Sequence, residues 1–141
     1  MRVCVIDGRG GGLGSRLVAG LQMELGQEHK LVALGTNSVA AAAMKQAGAT
    51  QVGIGSRVIT ETVPAMDVIV ASLNFVLPGA MLGEVTPEIV HAILGARAKK
   101  VLLPVNRVQV EIVGAGSCSL DALITQSVSR VRCLVNSVAD V

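Results

Sequence analysis

One stretch near the start constrains this chain more than any other: Asp7, Gly8, Arg9, Gly10, Gly11, Gly12, Leu13 and Gly14 follow directly on the apolar run Val3, Cys4, Val5, Ile6. A continuous apolar run closed by glycine suits a strand buried on both faces of a parallel sheet, here Arg2 to Asp7. Beyond the turn, Leu17, Val18, Leu21 and Leu25 recur at helical spacing and Gly26 supplies a stop. Strand, glycine turn and helix in that order open a βαβ unit.

The same alternation continues. Leu31 to Leu34 reads as a second strand; Thr36, Asn37 and Ser38, all capping types, precede an alanine-rich helix from Val39 to Ala47 that Gly48 closes. Gln51 to Ile54 suits a short third strand. Ser56 to Val63 is rich in β-branched residues yet opens on a capping type, so its state stays open. Asp67 to Ser72 is a fourth strand of buried type, and Thr86 before Pro87 predicts a helix from Pro87 to Leu94. Lys100 to Val105 is a fifth strand. Gln109 to Val113 follows too soon for a parallel crossover and is expected as an antiparallel edge strand. A last helix starts near Ser119 and aligns Leu120, Leu123, Ile124, Val128 and Val131 on one face. The expectation is one α/β domain over residues 1–141, Rossmann-like and doubly wound, with a mostly parallel sheet of five or six strands.

Composition excludes several classes of function. Charged residues make up 16% of the chain, against about 25% in ordinary globular proteins, which leaves apolar surface to hide and suggests a homo-oligomer. Net charge is +2 and Phe75 is the single aromatic, so the basic, stacking surface of a nucleic-acid binder is missing. The stretch from Val68 to Gly83 is broken by Ser72, Asn74, Pro78 and Gly79 and falls short of the about 20 apolar residues that span a bilayer. With no signal-peptide pattern at Met1 and Arg2, a cytoplasmic protein is expected. Cys4, Cys118 and Cys133 have neither metal-site nor disulfide spacing and are expected reduced, with no metal bound.

Gly8, Gly12 and Gly14 match G-x-x-x-G-x-G, the dinucleotide-binding spacing of short-chain dehydrogenases, whereas G-x-G-x-x-G from Gly8 fails at Leu13. Glycine serves such a turn by taking positive φ, letting a backbone approach a pyrophosphate, and packing helix on strand; the helix N-terminus adds free amides and partial positive charge. Five glycines in the seven positions from Gly8 to Gly14 exceed what packing asks, which favours a phosphate-bearing ligand, with Arg9 and Arg16 as further charge. Asp7 has two readings: a cap for the loop amides, or a contact to a metal or ribose. No acidic residue ends the second strand. Thr36, Asn37 and Ser38 stand there and suit either a 2′-phosphate, hence NADP, or helix capping. The turn also resembles the phosphate loop of nucleoside triphosphatases, but Ser15 and Arg16 replace its Lys and Ser/Thr, which removes triphosphate hydrolysis by that mechanism.

Chemistry is harder to place. The chain has no tyrosine, which excludes the Tyr–Lys mechanism of short-chain dehydrogenases. His29 and His91 have no nucleophile partner. Candidates near carboxyl ends of strands are Asn74 for binding, and Glu84 and Asn106 for catalysis, with Thr86 and Arg107 nearby; Glu84 is read equally as a general base or ligand contact and as a solvent-facing residue.

Four segments in order, Val5 to Gly14, Ala33 to Ser38, Leu82 to Pro87 and Pro104 to Arg107, resemble a family of small bacterial proteins of unknown function. The resemblance implies a Rossmann-like fold and names no activity; Ser15 stands where members commonly carry Lys. Three functions are carried forward. The first is a small nucleotide- or dinucleotide-binding or sensing protein, with NADP the first candidate cofactor and NAD the next, its ligand held by Asp7 to Gly14, Thr36 to Ser38 and Asn74. The second is a small oligomeric oxidoreductase or transferase; the third is a structural subunit that meets its partner through the loop from Phe75 to Leu82.

Overall fold

The computed structural model describes residues 1–105, 110–116 and 118–139. Elements follow in the order β1 (Arg2–Asp7), α1 (Gly12–Leu25), β2 (Lys30–Gly35), α2 (Ser38–Gln46), β3 (Gln51–Ile54), α3 (Ser56–Thr62), β4 (Val68–Ser72), α4 (Pro87–Gly95), β5 (Lys99–Leu103) and α5 (Leu120–Ala139). The strands form one all-parallel sheet in the order β3-β2-β1-β4-β5.

Both faces of the sheet are covered, as the apolar runs require. Alternate residues of β1 enter two separate cores. Val3 and Val5 join Leu17 and Leu21 of α1, Met44 of α2 and Val131 of α5. Cys4 and Ile6 join Ile59 of α3, Phe75, and Ile89 and Ile93 of α4. The sheet is therefore doubly wound, with α1, α2 and α5 on one face and α3 and α4 on the other.

The open segment from Ser56 to Val63 is helical, its last residue starting a short 3-10 turn. Its β-branched composition is overridden by topology, because the chain must cross from β3 at one edge to β4 on the far side of β1. Ile59 and Val63, one turn apart, are both fully buried in that crossing.

The antiparallel edge strand expected from Gln109 to Val113 is corrected. Residues 110–113 form no strand, and Gln109 lies outside the described residues. Val110, Ile112 and Val113 are all exposed, so their alternation has no core face to bury and nothing to set a register. No described helix is long and apolar enough to cross a membrane.

What this topology positions is a crevice. After β1 the chain winds to β2 and β3 on one side, then returns to β4 and β5 on the other, so the connections leaving β1 and β4 diverge at their carboxyl ends. Open α/β sheets bind ligands at such a switch point.

Candidate functional site

The turn after β1 is held from within. Asp7 is 6% exposed, and its two carboxylate oxygens accept hydrogen bonds from the amides of Gly8 (2.8 Å) and Gly14 (2.6 Å). The Gly11 amide donates to the Gly8 carbonyl at 2.9 Å and the Ser15 amide to the Gly11 carbonyl at 2.8 Å. Asp7 is thus the loop cap of the two sequence readings. Burial pushes its carboxyl above the ordinary range; the Gly14 and Gly8 amides pull it partly back, and the nearby Glu84 charge adds to the rise.

Three amides of the turn are left over. Those of Gly10, Gly12 and Leu13 make no hydrogen bond among the described residues. Helices α2, α4 and α5 begin on side-chain caps from Asn37, Thr86 and Ser119, whereas α1 begins on Gly11, with no side-chain cap and no acidic residue in its first turn. Asp7 takes the Gly14 amide, and the Gly12 and Leu13 amides at this N-terminus stay open to an anion. Arg9 is in no ion pair among the described residues, while Arg16 is paired with Asp121 of α5.

The glycines divide into two kinds. A Cβ on Gly8 would stand 2.6 Å from Thr36 Oγ1, one on Gly14 2.7 Å from Met44 Sδ, and one on Gly11 2.8 Å from Ala40 Cα. Those three are demanded by the fold. At Gly10 and Gly12 a Cβ would meet nothing within 4 Å, and neither has a left-handed φ. Nothing in the described chain requires glycine there.

These residues line a cleft of about 540 Å³ between the glycine turn and the segment leaving β4. Its far wall carries Ser72 and Asn74, 4% and 8% exposed, the latter on a 3-10 turn at Leu73–Val76. Neither the Ser72 hydroxyl nor the Asn74 carboxamide makes a hydrogen bond among the described residues, and their polar atoms are open to the cleft rather than sealed in the core. Met81, Leu82 and Val105 add apolar wall.

Of the residues singled out from sequence, Asp7, Gly8, Arg9, Gly10, Gly11, Gly12, Leu13 and Asn74 line this cleft, and Gly14 lies beneath it on Asp7. Thr36, Asn37 and Ser38 do not line it. Thr36 Oγ1 and Asn37 Nδ2 donate to Glu84 Oε1 at 2.6 and 2.8 Å, the Arg9 amide donates to the same oxygen at 3.1 Å, and Ser38 is exposed at the start of α2. Glu84, read as a base or ligand contact or as solvent-facing, is half-buried and clasps β2 to the glycine turn. Asn106 and Arg107 lie outside the described residues. Ser72, Met81 and Val105 were not anticipated; Ser72 becomes visible only once β4 is known to lie beside β1. The loop from Phe75 to Leu82 is no continuous contact surface, since Phe75 and Ala80 are buried and Leu82 stands out at 91% exposure.

Burial acts to raise the Glu84 carboxyl, but hydrogen bonds from Thr36, the Arg9 amide and Asn37, with the Arg9 charge, outweigh it and leave the group below its ordinary value. Its stabilising contribution is complete above the unfolded pKa and disappears as pH falls through the depressed folded one; that of Asp7 runs oppositely, lost as pH rises through its raised value. Glu84→Gln is therefore expected to cost about 1 kcal/mol at pH 7, with the difference from wild type beginning to shrink as pH falls through the unfolded carboxyl value of about 4.3 and continuing to shrink through the lower folded one. Thermal denaturation across pH measures it, and a pH-independent difference would contradict the clasp.

Fold and cleft together define an α/β protein of Rossmann type whose glycine turn at the switch point leaves three amides unpaired among the described residues. The chain belongs to the family described as a domain of unknown function, DUF3842, which matches residues 2–136. No curated protein and no solved structure matches the chain.

Proposed function

We propose that the protein binds a phosphate-bearing small molecule, a nucleotide in the first instance, with the phosphate on the amides of Gly10, Gly12 and Leu13. One observation carries the reading: glycine occupies two positions, Gly10 and Gly12, where the chain leaves open space and free or adjacent unpaired amides. A side chain there would obstruct a ligand and nothing else. The free Gly12 and Leu13 amides at the start of α1 and the Arg9 side chain, in no ion pair among the described residues, favour an anion.

Binding or sensing is preferred to catalysis. A carboxyl held below its usual range is a weak base, which removes the strongest reason for assigning Glu84 to a reaction. Asp7 is spent on two amides. Among dinucleotides NAD now ranks before NADP, because Thr36 and Asn37 already serve a carboxylate and a 2′-phosphate would stand beside it.

The test is calorimetric titration with NAD, NADP, ATP, coenzyme A and the nucleoside monophosphates, with and without magnesium, on wild type and Gly12→Asp. Saturable binding lost in the variant supports the reading; binding that the variant keeps, or none at all, overturns it. The sparse charge and the exposed Leu82 and Val113 support a homo-oligomer, which light scattering would disprove by returning a monomer mass.

A further inference from the structure

The two sides of the glycine turn are built differently, and the difference bears on what part of a nucleotide the cleft takes. In a Rossmann dinucleotide site the adenosine runs from the first turn toward the end of β2. Here that ground is filled. A Cβ built on Gly8 would come within 3.1 Å of both Met81 Cε and Glu84 Oε1, so segment 77–85 lies directly over the end of β1. Internal bonds hold the segment, Gly79 amide to Val85 carbonyl at 2.8 Å and Val85 amide to Ala80 carbonyl at 3.1 Å, and Ala80 and Val85 anchor it in the core. Its Glu84 clasp consumes the Thr36 and Asn37 donors that would meet a ribose.

On the β4 side the cleft is open. There Ser72 and Asn74 are more than nine-tenths buried, face the cleft and have no hydrogen-bond partner among the described residues. No buried side-chain polar atom lacks a partner among the described residues, so the unpaired Ser72 and Asn74 groups are reached from the cleft; a carboxamide offers a donor and an acceptor side by side, the pattern that an uncharged heterocycle edge presents in reverse. Leu13, Met81 and Val105 give the same space apolar walls, which suit a flat ring better than a polyol.

Resting on the phosphate reading of the turn, we infer that the cleft takes a nucleoside monophosphate whose base is read by Ser72 and Asn74, and that the dinucleotide position over β2 is closed by segment 77–85. The phosphate on the free amides and the base on the far wall are then the two ends of one small ligand.

Titration of wild type, Asn74→Ala, Ser72→Ala and Gly12→Asp with inorganic phosphate, the adenosine, guanosine, cytidine and uridine monophosphates, glucose 6-phosphate and NAD tests it. At least one monophosphate nucleotide is expected to bind about tenfold or more tightly than phosphate, glucose 6-phosphate or NAD, and Asn74→Ala to remove that advantage while leaving phosphate affinity unchanged. Ser72→Ala gives an independent reading if Asn74→Ala fails to fold. NAD binding tighter than every mononucleotide, yet lost in Gly12→Asp, would overturn the inference and leave the phosphate reading standing. So would glucose 6-phosphate as the tightest ligand, or a nucleotide preference indifferent to Asn74 and Ser72. Absence of all binding, or binding indifferent to Gly12→Asp, would remove both.

Discussion

Gly12→Asp is expected to leave the protein folded, with stability unchanged or raised by up to about 1 kcal/mol, while affinity for phosphate-bearing ligands falls about 100-fold or more. The fold tolerates the side chain because Gly12 is the first residue of α1, has no left-handed φ, and has nothing within 4 Å of its Cβ position. A carboxylate at that place neutralises the helix N-terminus and takes the space above the Gly10 and Leu13 amides. Repulsion from Asp7 on the same turn limits the gain in stability. Gly12→Ala separates the causes: it adds bulk without charge, so an intermediate loss is expected. Thermal denaturation and calorimetric titration of the three proteins read both quantities. An unfolded Gly12→Asp protein would show that the fold needs this glycine after all, and full affinity in a folded one would place the phosphate elsewhere.

The neighbouring substitution has the opposite signature. Gly11→Ala is expected to destabilise by about 3 kcal/mol, lowering the melting temperature by about 10 °C. Gly11 holds φ at 72°, in the left-handed region that costs an L-residue about 1–2 kcal/mol. Its Cβ would also meet Ala40 Cα at 2.8 Å and Ala40 O at 2.9 Å. Those are atoms of α2, fixed by the helix and by the burial of Ala40, and cannot swing aside as a side chain would. Relief requires α1 and α2 to part, and overpacking of this kind costs about 1–3 kcal/mol more. Urea or thermal denaturation measures the loss; a cost below about 1 kcal/mol would mean that the α1–α2 contact yields easily. Two adjacent glycines therefore differ in kind: the fold requires Gly11 and leaves Gly12 free.

Much of the fold was legible because its signals are local. Apolar runs ended by polar or glycine residues mark β1 to β5 within a residue or two, and Asn37, Thr86 and Ser119 mark helix starts because each side chain bonds an amide three residues on. The glycine turn was equally plain, since strand, turn and helix are contiguous.

Tertiary structure alone decided the remainder. Ser56 to Thr62 is a helix because the crossover from β3 to β4 buries Ile59, whatever its β-branched composition prefers. Residues 110–113 alternate like a strand and form none, for lack of a face to bury. Glu84 reaches Thr36 and Asn37 across 48 and 47 positions of sequence, and no pattern of spacing announces a bond of that length. Five glycines in a row of seven look alike in the sequence, yet only the packing of Thr36, Ala40 and Met44 around them distinguishes the three the fold requires from the two it leaves free. Local sequence specifies torsion angles and caps through neighbours along the chain; which surfaces meet, and which amides stay unpaired, depends on distances that exist only after the sheet has assembled.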